Sequence, residues 1–214
     1  MYSLLKKNSV FFIPYLLFLL GGIICLGLWG KVNITLFVNG HNNPAADIFF
    51  KYYTLVGLGY LIIPVLLALA CVSLRYTIMS AIAFLLAFIV NDSIKIAVGS
   101  PRPLTVFNQL HLSLYHVPGV ELYYWNSFPS GHTAIAFSLF CVLAMVTQKK
   151  GMKLLFFIVA FLVGYSRIYL AEHFITDVVA ASAIGVASAI TAYKMVMNWR
   201  WLSKFAAIDI PLIR

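Results

Sequence analysis

Apolar runs of roughly 17–25 residues, each long enough to cross a bilayer, recur from one end of this chain to the other. That recurrence leaves few folds open. With 63% hydrophobic and only 10% charged residues in 214, the composition lies far from that of a soluble domain and fits a polytopic membrane protein. The length suits one helical domain over residues 1–214. A net charge of +9 invites a nucleic-acid reading, but no soluble basic patch exists to bind one. Lysines and arginines that orient helices explain the charge better, so no nucleic-acid partner is expected. Cys25, Cys71 and Cys141 are single thiols within apolar runs, in no metal-ligand spacing. They read as packing residues and leave the redox compartment undecided.

The pattern predicts an all-α fold of six transmembrane helices in one bundle, over 10–29, 53–74, 76–98, 130–147, 154–169 and 174–196. The first resembles a signal peptide in following Lys6 and Lys7, but signal cores span only about 7–15 residues and end in a cleavage site. This run is longer and continues into Trp29-Gly30-Lys31, so it reads as an uncleaved helix. Residues 31–51 mix apolar residues with turn signals at Asn39-Gly40 and Asn42-Asn43-Pro44, which suits a short interfacial helix. Residues 99–127 form the longest polar interval, and its Tyr123-Tyr124-Trp125 run is typical of a membrane–water interface. Lys149, Lys150 and Lys153 mark a turn, and the basic tail over 198–214 reads as interfacial.

With both ends inside, ten basic residues are cytoplasmic: Lys6, Lys7, Arg75, Lys149, Lys150, Lys153, Lys194, Arg200, Lys204 and Arg214. Five lie outside: Lys31, Lys51, Lys95, Arg102 and Arg167. The excess obeys the positive-inside bias. Three of those five belong to a charged constellation that this topology gathers at the outer face.

His173 and Asp177 stand four apart at the start of the last helix and share a face. A carboxylate on one imidazole nitrogen fixes the tautomer and leaves the other free to attack. The plainer alternative is an interfacial histidine beside a helix-start carboxylate. Glu172 competes for His173, but sequence neighbours point to different faces, which favours Asp177. Pro129-Ser130-Gly131-His132 reads as a helix start capped by Ser130, whose free N–H groups suit an anion. Gly131 permits close approach of a phosphate, and His132 on the first turn can protonate a leaving oxygen. Lys95, Arg102 and Arg167 supply fixed positive charge; each alone reads as snorkelling to headgroups, but together they match phosphoryl oxygens. Asp92 either pairs with Lys95 or faces a wet cavity. His41, His111 and His116 read as solvated loop residues, and Glu121 with the aromatic run as an interfacial belt.

Lys95-x6-Arg102-Pro103, Pro129-Ser130-Gly131-His132 and Ser166-Arg167-x5-His173-x3-Asp177 resemble the three signature motifs of the type 2 phosphatidic acid phosphatase (PAP2) superfamily, in its order and spacing. That superfamily includes lipid phosphatases, glucose-6-phosphatase and vanadium-dependent haloperoxidases. The resemblance implies that His173 is a nucleophile forming a phosphohistidine, that Asp177 orients it, and that His132 protonates the leaving group. It further implies that Lys95, Arg102, Ser130, Gly131, His132 and Arg167 bind phosphoryl oxygens, with no metal and no cofactor. The expected activity is hydrolysis of a lipid phosphate or diphosphate at the outer face of a bacterial inner membrane. The partners are the substrate and membrane lipids, with oligomeric state open. Transfer of the phosphoryl group to a second lipid would use the same residues. An anion transporter would call for internal repeats and broken helices, neither of which the sequence displays.

Overall fold

Nearly every apolar run became helix because, in hydrocarbon, a segment must satisfy its own backbone polar groups. The computed structural model describes residues 2–198. A short helix α1 (Tyr2–Lys7) leads into α2 (Ser9–Gly40), which turns sharply at Gly30 (φ 70°, ψ 158°), a conformation open in practice to glycine alone. The expected end of the first span at Trp29-Gly30 is therefore a kink, after which the helix resumes. Next come α3 (Pro44–Tyr53), capped by the Asn43 side chain, two 3₁₀ turns (Thr54–Gly57 and Gly59–Leu61), and α4 (Ile62–Ala70). Then follow α5 (Leu74–Val98), α6 (Pro103–Gln109), α7 (Gly131–Val146), α8 (Lys150–Tyr169) and α9 (Ile175–Met197). No strand forms among the described residues, only an isolated antiparallel bridge between Pro101 and Trp125. The expected basic tail lies almost wholly outside the described residues.

Four helices (α2, α5, α8 and α9) are long and apolar enough to cross a membrane. The stretch expected as one straight helix over 53–74 is instead a bent pair, with 59° between its halves. The run is apolar throughout, but Leu58 is extended between Gly57 and Gly59, and the chain changes direction there. Counted as one span, the pair makes a fifth; α7 is apolar but only 16 residues long.

Helix α7 is the axis, packed against α5, α8 and α9. A Cβ on Gly185 would stand 2.5 Å from Ala134 O, so α9 and α7 approach backbone to backbone. Small residues at such crossings let helices associate where lipid offers no hydrophobic gain. Around this axis Phe11, Met79, Phe137, Val142, Phe157 and Val163 close the core. Leu17, Leu28, Leu67 and Ile96 point outward, more than 60% exposed, as a lipid-facing surface requires. Lys153, expected in a turn, is a buried residue of α8 whose Nζ donates to Lys7 O (3.1 Å) and Asn8 Oδ1. That tie places the N-terminus beside the start of α8, at the end of the bundle opposite the constellation.

Candidate active site

Helix α8 ends at the site, with Arg167 on its last turn. Its last carbonyls fold the chain back: the Glu172 and His173 N–H groups both donate to Arg167 O, at 3.0 and 3.1 Å. Arg167, Glu172 and His173 are thereby clustered before α9 begins. Asp177, on the first turn of α9, reaches back so that Oδ2 accepts the Phe174 N–H at 3.1 Å, and the same oxygen lies 3.4 Å from His173 Nδ1. Ser127 Oγ donates to that oxygen as well, and Thr176 Oγ1 donates to Oδ1 at 2.8 Å. His173 is 2% exposed. Burial holds its imidazole below the ordinary histidine value, Asp177 pulling the other way, and Nδ1 is the ring nitrogen turned to Asp177.

Helix α7 begins beside this pair, its Ser130 N–H donating to Asp177 O at 3.2 Å. Ser130 takes the N-cap position, but its hydroxyl accepts from Thr133 Oγ1 (2.9 Å) and bonds no backbone N–H. The expected side-chain cap is absent, and the first-turn N–H groups remain without one. Lys95 stands over this turn: a Cβ on Gly131 would lie 3.6 Å from its Nζ and 3.8 Å from Asn91 Nδ2. Asn91 Oδ1 is buried without a partner.

His132 sits where two cavities meet. One, of about 330 Å³, is lined by Lys51, Tyr123, Arg167 and Glu172; the other, of about 210 Å³, by Ala87, Asn91, Asp92 and Lys95. The break in the bent pair is fitted to this residue. A Cβ on Gly57 would come within 2.9 Å of His132 Cβ, so only glycine lets the 3₁₀ turn pass there. Asp92 lines the smaller cavity beside Lys95.

Arg102 comes from the polar interval, strapped by hydrogen bonds: its N–H donates to Tyr124 O (2.9 Å) and its Nε to Trp125 O (3.0 Å). Its guanidinium also lies 4.8 Å from the Tyr123 ring centroid. Arg102 Nη1 pairs with Glu172 Oε2, and Arg167 Nη2 is 3.4 Å from the same oxygen. Arg167 Nη1 donates to Thr54 Oγ1 at 2.7 Å, whereas its buried Nε has no acceptor.

The structure thus brings His132, His173, Asp177, Lys95, Arg102, Ser130, Gly131 and Arg167 to one end of the bundle. Spacing alone missed Ser127 and Thr54 and gave Glu172 no part beyond rivalry for His173. Tyr123, Tyr124 and Trp125 are about half exposed, as an interfacial belt would be. Among the described residues, no three His, Cys, Asp or Glu side chains gather in a metal-holding group.

Residues 76–201 match the PAP2 superfamily, more than half of the chain. An undecaprenyl-diphosphatase of Sulfolobus acidocaldarius is 31% identical over 187 residues, 84% of this chain and 87% of that protein. The crystal structure of Aquifex aeolicus LpxE superposes with a TM-score of 0.69 at 30% identity, covering 77% of this chain and 94% of that one. A transmembrane PAP2-type phosphatidylglycerolphosphate phosphatase from Bacillus subtilis superposes with a TM-score of 0.65, covering 94% and 98%. At 19% identity that second likeness speaks to the fold alone. The motifs, the helical bundle that assembles them and these relatives agree: the chain belongs to the PAP2 superfamily and is a membrane phosphatase of its lipid-directed kind.

Proposed function

We propose that this enzyme hydrolyses a lipid phosphate or diphosphate at the outer face of the membrane through a phosphohistidine on His173. The convergence of a carboxylate-bound imidazole with Arg102 and Arg167 joined on Glu172, and with Lys95 over the start of α7, supports this reading. Asp177 occupies Nδ1, so Nε2 attacks phosphorus while the bond to the leaving oxygen breaks. His132 supplies the proton that the leaving oxygen takes up, then accepts one from the water that cleaves the P–N bond. Lys95, Arg102, Arg167, the Ser130 hydroxyl and the N–H of Gly131 stabilise charge on the equatorial oxygens. Those cations do the electrostatic work that a divalent metal does elsewhere, so neither metal nor cofactor is required.

The chain forms one integral-membrane domain over residues 1–214 with six crossings, the bent pair and α7 both included. Helix α7 is largely enclosed by its neighbours, so its length need not match the bilayer. Lys6, Lys7, Lys149 and Lys150 lie at the end opposite the site, which the positive-inside bias makes cytoplasmic. The site then faces the outside or periplasm of a bacterial inner membrane. Broken helices also line transport paths, but here the break packs on His132 and serves the catalytic end.

Undecaprenyl diphosphate leads the candidate substrates, because the Sulfolobus relative named for it matches along most of both chains. Phosphatidate, phosphatidylglycerol phosphate and lipid A phosphates follow, since every motif reads the shared phosphoryl group. The test is phosphate release from a panel of these lipids by purified enzyme, with labelled lipid acceptors present. The His173→Ala variant is run in parallel. Phosphate release that depends on His173 supports the proposal; label moving to acceptor lipids would make the enzyme a phosphotransferase. Turnover retained by His173→Ala would sink the covalent route.

A further inference from the structure

Glu172 sits inside the cationic cluster, 4% exposed, with one carboxylate oxygen shared by two guanidinium groups. Those groups come from distant segments: Arg102 precedes α6, and Arg167 belongs to the last turn of α8. Carboxylate and phosphoryl oxygens present the same acceptor geometry to a guanidinium fork. The bridging oxygen of Glu172 therefore stands where an oxygen of a bound phosphoryl group would bridge the same pair. Two observations indicate that the carboxylate fills this seat incompletely. Arg167 Nε is buried with no acceptor, and Glu172 lines the open cavity it shares with His132. A three-oxygen anion would use donors that one carboxylate leaves idle.

We propose that Glu172 is an internal competitor for the phosphate seat. Its carboxylate holds Arg102 and Arg167 in the empty enzyme, yields to the incoming phosphoryl group, and returns to displace inorganic phosphate after hydrolysis. This rests on reading the cavity as a phosphate site. Two buried guanidinium groups without a counterion repel each other and pay for desolvation. With Glu172 between them the empty site is stable, and every anion that binds must first break that pairing. Affinity for substrate and product alike is lowered, which matters most for the product, because all three fixed cations would otherwise retain it. Burial pushes the Glu172 carboxyl upward while Arg167 and Arg102 pull it down, as befits a charge held by its partners alone. Glu172 is a positioning residue, acting through the arginines.

The experiment measures inhibition of the full-length enzyme by inorganic phosphate, with Glu172→Gln and Glu172→Asp beside wild type. Removing the competing charge should tighten phosphate binding by about tenfold in Glu172→Gln, given what like charges cost each other at close range. KM should fall with it, and kcat should fall as release becomes limiting, with a burst of dephosphorylated lipid in the first turnover. Glu172→Asp keeps the charge on a shorter stem that spans the two arginines poorly, so it should bind phosphate about threefold tighter. It carries the test if Glu172→Gln does not accumulate as folded protein. Unchanged or weaker phosphate binding in the folded variants would reduce Glu172 to a brace and overturn the inference. Failure of the underlying reading looks different: wild type would resist phosphate at any concentration and His173→Ala would keep its turnover.

Discussion

His173 Nδ1 and Asp177 Oδ2 stand 3.4 Å apart, and that oxygen is also held by Ser127 Oγ and the Phe174 N–H. A carboxylate so anchored cannot rotate away when the imidazole gains charge. Its contact is long for a hydrogen bond. Asp177→Asn should therefore keep the fold but cut kcat by about 10³–10⁴-fold, the loss expected when an imidazole's orienting carboxylate is neutralised. Ser127→Ala removes one anchor of several and should cost about 1 kcal/mol, or roughly fivefold in rate. Steady-state kinetics on both variants, with circular dichroism as the folding control, decide the point.

His132 is half-buried between the two cavities, against the glycine break at Gly57. If it protonates the leaving oxygen, His132→Ala should lose about 10²–10⁴-fold on a lipid phosphate and far less on an activated aryl phosphate, which leaves unaided. Equal losses on the two substrates would reassign His132 as a phosphate ligand.

The long helices and the membership of the constellation were legible in the sequence, because hydropathy and motif spacing are local or nearly so. Missing were the contacts that close the site across sequence. Ser127 meets Asp177 from 50 positions away, Arg102 meets Glu172 from 70, and Arg167 meets Thr54 from 113. No periodicity links such residues. The broken helix escaped for a related reason. Gly57 and Gly59 are tolerable in an apolar run, and what forces the turn is the close passage of Gly57 over His132 and Val163. Lys153 looked like a loop cation because its acceptors, Lys7 O and Asn8 Oδ1, belong to the N-terminus.

Burial, the dominant influence, lowers the proton affinity of His173 in the folded enzyme relative to the unfolded chain. The unfolded imidazole takes up its proton near pH 6.5, so below that value unfolding gains a proton that folding must forgo. The His173 contribution to stability should be intact at pH 7.5 and decline as pH falls, by at most about 1.4 kcal/mol per pH unit. Glu172, raised by burial, contributes the opposite slope, losing stability as pH rises through its own value. Comparing the pH dependence of Tm between wild type and His173→Gln isolates the histidine. The variant should lose less Tm between pH 7.5 and 5.5, and matching slopes would mean that His173 is not held neutral by burial.

Lys95, Arg102 and Arg167 gather fixed charge at the His132 end of the bundle, so activity should persist in excess chelator. Vanadate should inhibit by taking the trigonal position among them. Phosphate release assayed with chelator, then with magnesium restored, tests this directly. Activity that vanished in chelator and returned only with magnesium would refute the metal-free mechanism.

Sidedness is testable because the 16 residues of α7 separate His132 from the α8 lysines by about 24 Å of helical rise. Labelling needs one reporter at each end in a cysteine-free background, since Cys71 is exposed in the native chain. Gly119 is a poor host: its φ is +73°, and an added Cβ would stand 2.5 Å from Lys51 Nζ. Ser113 and Gln148 are both exposed, at the constellation end and the opposite end respectively. Ser113→Cys should react with an impermeant thiol reagent in whole cells or spheroplasts, and Gln148→Cys only after permeabilisation. The reverse pattern would move catalysis to the cytoplasmic leaflet and strike outer-leaflet lipids from the candidate substrates.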